Sequence, residues 1–224
     1  MKGVIVIIAF LSLLLLSVCI SGCSDQGSEG TETVQPTVAK TTETPLPTVM
    51  AEIPGEDKEE MTPWTPDGVI TEGEYKEVFR SDDGKFEFYW RNDDEKLYAG
   101  MSGNSEGWVS VGFSPTSVMK DADIILGYIE DSVLNIHDMY SIGIYGPHPD
   151  DTDMGGEYSI LSSGGMEKDG KTTVEFSRYL DTGDSYDSKL SKGTDVKFLW
   201  SVAERDDPEF KHNVAKGSSS FRLS

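Results

Sequence analysis

Residues Gly107–Ser141, GWVSVGFSPTSVMKDADIILGYIEDSVLNIHDMYS, read as three consecutive strands. Trp108–Phe113 is dense in β-branched and aromatic residues, and Ser114-Pro115 stops it, because proline has no N–H to give to a ladder. Ala122–Ile129 is a nearly continuous apolar run, the pattern of a strand covered on both faces. Glu130-Asp131-Ser132 forms a polar turn, and Val133–Ser141 resumes extended character. Met119 stands between the first two strands, flanked by Lys120, Asp121 and Asp123. Its soft thioether either fills a gap at the end of a sandwich or, aimed into a pocket, serves as an axial ligand. Composition by itself favours the first.

The same punctuation continues outward in both directions. Upstream, Phe86, Phe88 and Trp90 alternate with Glu87, Tyr89 and Arg91, the period of two that gives a strand one apolar face. Asn92–Glu95 turns, and Lys96–Met101 returns as the second arm of a hairpin. Downstream, YGPHPDDTDMGGE at 145–157 is a loop by its Gly, Pro and Asp content. It carries His148 and several acids, but their spacing does not match an ordered calcium-binding loop. Tyr158–Leu161 is expected as a strand, Gly164-Gly165 as a turn, and Lys171–Arg178 as a strand with Val174 and Phe176 inward. Asp195–Ala203 places Val196, Phe198, Trp200 and Val202 on one face, and Phe221–Leu223 closes the chain. Strands at roughly ten-residue spacing predict an all-β sandwich over 64–224.

The 224 residues carry 19 basic and 40 acidic side chains. Such a balance argues against nucleic acid, whose phosphates need clustered Lys and Arg, and favours docking to a basic partner protein. The only cysteines are Cys19 and Cys23, so the domain holds no disulfide framework and no cysteine zinc site. Lys2 precedes an uncharged apolar run, Val4–Ile20, short for a membrane span and suited to a signal peptide. The run ends in Ile20-Ser21-Gly22-Cys23, which resembles a lipobox with Cys23 as the lipidated residue. Residues 1–22 are thus expected to be a signal peptide, with an uncleaved N-terminal anchor as the alternative. Either reading places the remainder outside the cytoplasm at a membrane surface. Residues 23–63, rich in Thr, Pro and Glu, lack the apolar residues to offset ordering entropy and predict a disordered tether.

Several of these features also carry a family resemblance: Gly107-Trp108 with Gly112-Phe113, Met119, Ala122-Asp123-Ile124 with Gly127, and Asp138, Tyr140 and Ser141. Further on, Arg178, Leu180, Thr182-Gly183-Asp184 and Asp187 continue the pattern, and His212 precedes Gly217-Ser218. In this order they resemble the DOMON domain, an immunoglobulin-like β-sandwich whose members bind haem b or sugars outside the cytoplasm. Many relatives have Gly where this chain has Asp121, which changes the charge beside the expected pocket. The resemblance implies haem b, with Met119 and His212 as its two axial metal ligands. It also implies a slot between the sheets, lined by Trp108, Phe113, Ile124, Tyr140 and Trp200. Met139, His137, His148, Lys211 and Lys216 remain alternative ligands. A Met/His pair suits electron transfer to a redox partner protein. The competing reading is a carbohydrate-binding surface module in which Trp90, Trp108 and Trp200 stack on sugar rings. A structural or sensor domain that binds nothing small is the third. No nucleophile elbow or phosphate loop is present in the sequence, so the chain is not expected to be an enzyme.

Overall fold

The computed structural model describes residues 62–224. The expected signal peptide, Cys23 and nearly all of the tether lie outside the described residues. From there on, the alternation read in the sequence becomes ten strands in two antiparallel sheets of five. The first sheet has the order β1-β2-β3-β8-β7, from β1 (Glu77–Arg80), β2 (Phe86–Asn92), β3 (Lys96–Gly103), β8 (Lys171–Tyr179) and β7 (Ile160–Lys168). The second has the order β10-β9-β4-β5-β6, from β10 (Ala215–Arg222), β9 (Asp195–Val202), β4 (Val109–Phe113), β5 (Asp123–Glu130) and β6 (Val133–Tyr140). The one helical element among the described residues is a 3-10 turn, Asp151–Met154. No helix there is long and apolar enough to cross a membrane.

Register explains the core. Phe88 pairs with Met101, and Met101 with Val174, so alternate residues of β2, β3 and β8 share the inner face. Phe113 pairs with Phe198 and Val111 with Trp200, giving the matching face of the second sheet. Between them Phe88 lies 5.2 Å from Phe198 and 5.4 Å from Phe221, and Phe86 stacks on Trp200 at 4.9 Å. Each such buried side chain contributes about 1.5–3 kcal/mol, which is why the sheets close here.

The strand β5 is buried on both faces, as its unbroken apolar run predicts. Ile125 enters the inner core, whereas Ile124 and Leu126 join Trp108, Ala122, Met139 and Ala203 in a second apolar cluster on the outer face. That outer cluster positions the functional site.

The outer face of the first sheet is covered differently. The segment leading to β1 crosses it and is clamped by Glu175 of β8. Glu175 Oε2 accepts from the amides of Gly68 (2.7 Å) and Asp67 (3.0 Å), and Oε1 accepts from the Tyr75 hydroxyl (2.7 Å). Trp64 Nε1 in turn donates to Tyr75 at 2.8 Å. The approach is so close that a Cβ on Gly164 would stand 1.8 Å from the Pro66 carbonyl oxygen.

Two expectations are corrected. Gly164-Gly165 is not a turn but the middle of β7; the pair is small because Pro66 presses on one face and Ile129 and Leu134 on the other. The turn falls at Asp169-Gly170, both with positive φ. The last strand begins at Ala215 rather than Phe221, since its Gly and Ser residues pair along the whole of β9 as an edge.

Candidate site: a cleft on the outer face of the second sheet

Three connections rise over the outer apolar cluster: 114–122 between β4 and β5, 141–150 after β6, and 203–214 between β9 and β10. They and the β9–β10 edge enclose a cleft of about 880 Å³, within the range of small-molecule and cofactor sites. Met119, Val118 and Tyr145 line it from the first two connections, His212 from the third, and Lys197, Leu199 and Lys216 from the sheet.

The Met119 connection is tightly held. Thr116 N donates to the Lys120 carbonyl at 2.9 Å, Lys120 N to Ser117 at 2.8 Å, and Ala122 N to Met119 at 3.1 Å. The Asp121 carboxylate accepts from the hydroxyls of Thr116 and Tyr140, which lowers its pKa from the ordinary value. Ser114, Val118 and Asp121 all adopt left-handed backbone, with φ of 52°, 53° and 61°. Asp tolerates this conformation, and glycine suits it best. A β-branched Val does not, so the residue beside Met119 is strained.

The His212 connection is positioned by Gly107-Trp108. A Cβ on Gly107 would lie 2.2 Å from the Arg205 amide nitrogen, so only glycine lets the strand end and this connection meet. Trp108 then donates from Nε1 to the Phe210 carbonyl at 3.2 Å and sets its ring edge-on to His212 at 6.4 Å. Arg205 lies over the Phe210 ring at 4.2 Å, and Glu204 N donates to Asn213 Oδ1 at 3.1 Å. His212 Nδ1 is buried without a hydrogen-bond partner, and burial pushes the imidazole below its ordinary value. The ring is therefore neutral near pH 7 and carries a free lone pair.

The structure thus brings Met119 and His212 to one cleft. It does not place that cleft between the sheets. The inner face is already filled by large aromatic side chains, and the outer cluster of β5 offers the remaining apolar ground. Of the expected lining residues, Trp200 borders the cleft while its ring packs in the core. Trp108 and Ile124 belong to the outer cluster and do not line the cleft, which meets that cluster through Leu199. Phe113 is fully buried in the inner core, because its register with Phe198 turns it inward. Tyr140 is drawn aside to Asp121 and Tyr186.

Among the alternative ligands, Lys216 lines the cleft and Lys211 does not. Met139 belongs to the outer cluster, and His137, stacked on Tyr128, is 3.1 Å from Asp150. His148 Nδ1 is buried without a partner, and its pKa is lowered by burial first and by the charge of His212 second. The tryptophans that would stack on sugars are all buried: Trp90 and Trp108 donate to backbone carbonyls, and Trp200 is sandwiched in the core. No exposed tryptophan face is left for a sugar ring among these three.

One constellation was legible only as a family pattern. Asp123, the one acid within the apolar run 122–129, accepts from Arg178 Nη1, and Arg178 is 3.5 Å from Asp187. The Ala-Asp-Ile and Arg-to-Asp motifs are thus two halves of one buried cluster at the end of the sandwich.

Comparison with known proteins agrees with the fold. A family model described as DOMON domain matches residues 82–203, more than half of the chain. The chain is 30% identical over 145 residues to the DBH-like monooxygenase protein 1 of Mus musculus, covering 63% of this chain and 22% of that protein. It is 30% identical over 124 residues to MOXD1 homolog 1 of Drosophila melanogaster, covering 53% of this chain and 17% of that one. The chain therefore spans about a fifth of the length of these curated relatives. Among solved structures it is similar to the cytochrome domain of cellobiose dehydrogenase from Myriococcum thermophilum, with 13% identity and a TM-score of 0.47, covering 66% of this chain and 82% of that domain. Its two five-stranded sheets, the ordered motifs of β4 to β6 and the family match together make this chain a member of the DOMON domain family.

Proposed function

We propose that this chain is an extracytoplasmic haem b-binding protein that transfers single electrons, tethered to a membrane through its N-terminal segment. The observation that carries the reading is the convergence of Met119 and His212, from connections far apart in sequence, on one cleft. The donors suit the group: a soft thioether, and a neutral imidazole with an orphaned nitrogen. Leu199, packed against the outer cluster, and Val118 give the cleft apolar walls, and exposed Lys197 and Lys216 offer positive charge for the carboxylates that haem b bears. When bound, haem b supplies a one-electron iron couple. The chain's own residues exclude water from one face of the cleft, hold the two ligand side chains at fixed loops, and favour the ferrous state through the thioether. With a net charge of −21, the surface favours a basic redox partner. Met119 and His212 would both be taken up in holding the haem, so catalysis is not part of the proposal.

The test is a titration of haemin into the purified full chain, followed by visible absorption. The expected result is saturation at one equivalent with a six-coordinate low-spin spectrum. A chain that takes up no haem but binds oligosaccharide would overturn the reading in favour of the surface module.

A further inference from the structure

The cleft uses none of the acids at the end of the sandwich. There, between the sheets, Asp123 at the start of β5, Asp138 near the end of β6 and Asp187 after β8 each bring a carboxylate oxygen to within 4.8 Å of the others. Asp123 and Asp138 are 1% and 3% exposed, and the Asp187 side chain is 1% exposed. A fourth acid comes from a separate element. Asp151, in the 3-10 turn that packs against β6, is 1% exposed.

The hydrogen bonds do not balance this charge. Asp123 Oδ2 accepts from Arg178 and from the Ser188 amide (2.8 Å), and Asp138 Oδ2 accepts from the Ser159 amide (2.7 Å). Arg178 also spends Nη2 on the Ser188 carbonyl at 3.0 Å. Asp123 Oδ1, Asp138 Oδ1 and both oxygens of Asp151 and of Asp187 are buried and receive no donor. Four carboxylates thus face one guanidinium. Buried polar atoms are almost always satisfied, and a set of orphans at one point needs a missing partner. The donors are carboxylate oxygens alone, with no nitrogen or sulfur among them, which selects a hard cation.

We propose that Asp123, Asp138, Asp151 and Asp187 form a calcium site that staples the β5–β6 end of the second sheet to the connection after β8. It does not depend on haem binding.

The test uses the full chain, stripped with EDTA, desalted and titrated with CaCl2 at pH 7.5 by calorimetry, with thermal unfolding measured before and after. One saturable equivalent and a rise in Tm are expected, larger than magnesium gives at the same concentration. Asp151 accepts no hydrogen bond, so Asp151→Asn should raise the Tm of the stripped chain by removing repulsion. The same change should weaken calcium binding by roughly tenfold or more. Asp138→Asn should weaken it likewise and serves should the first variant fold poorly. Absence of both heat and Tm shift on adding calcium would overturn the site, as would an equal or greater response to magnesium or unchanged binding in both variants.

Discussion

The two outer faces of the sandwich are each covered by irregular chain, yet they end in opposite conditions. On the first sheet, the segment from Trp64 to Tyr75 lies flat, and each oxygen of its clamp, Glu175, receives a donor. On the second, three connections stand apart, leaving a cleft with an orphaned imidazole nitrogen on His212 and a strained backbone at Val118. Satisfied polar groups with close backbone contact describe a cover. An unpartnered imidazole nitrogen, held strain and apolar walls describe a receptacle, because folding tolerates such costs where a ligand offsets them.

The contrast can be broken at either face. The largest effect on folding is expected from Glu175→Ala, which strands two amides and a hydroxyl: about 3 kcal/mol lost in urea unfolding, with haem titration unchanged because the cleft lies on the other sheet. A pH series sharpens this. Burial raises the Glu175 carboxyl above its ordinary 4.5, so the native state holds that proton more tightly than the unfolded chain. The stability it contributes is full below pH 4.5 and is lost as pH rises through the native value. The stability of the parent relative to Glu175→Gln should therefore fall with rising pH; a rise would contradict the assignment.

At the cleft, His212→Ala should weaken haem binding by about 100-fold, roughly 2.7 kcal/mol, while the haem-free chain unfolds within about 0.5 kcal/mol of the parent. A smaller gain is expected from Val118→Asn. Asn accepts left-handed backbone, so stability should rise by about 1 kcal/mol. No gain in thermal or urea unfolding would show that the Val118 backbone holds no strain.

The fold was legible because it rests on periodicity. Phe86, Phe88 and Trp90 announced an inner face, and the unbroken β5 run announced a strand covered twice. Gly164-Gly165 misled because a glycine pair signals a turn locally, whereas here it answers to Pro66, distant in sequence. The pairing of Met119 with His212 was legible through the resemblance, but the position of the cleft was not. Which face of a doubly buried strand is left open depends on how connections fill the other, and Phe113 turns inward by register alone. The acids of the buried cluster were legible as motif residues, but their meeting was not, for the same reason. Asp123, Asp138 and Asp187 share no local spacing and meet only when the sheets close.

The account turns most directly on the absorption spectra of the haem-loaded parent, Met119→Ala and His212→Ala chains, recorded together with their reduction potentials. The parent should be six-coordinate and low-spin. Met119→Ala should keep its haem but shift to a lower potential, since the thioether stabilises ferrous iron, and His212→Ala should retain haem poorly. Two variants with the parent's spectrum and potential would contradict the claim that this cleft holds one haem between Met119 and His212.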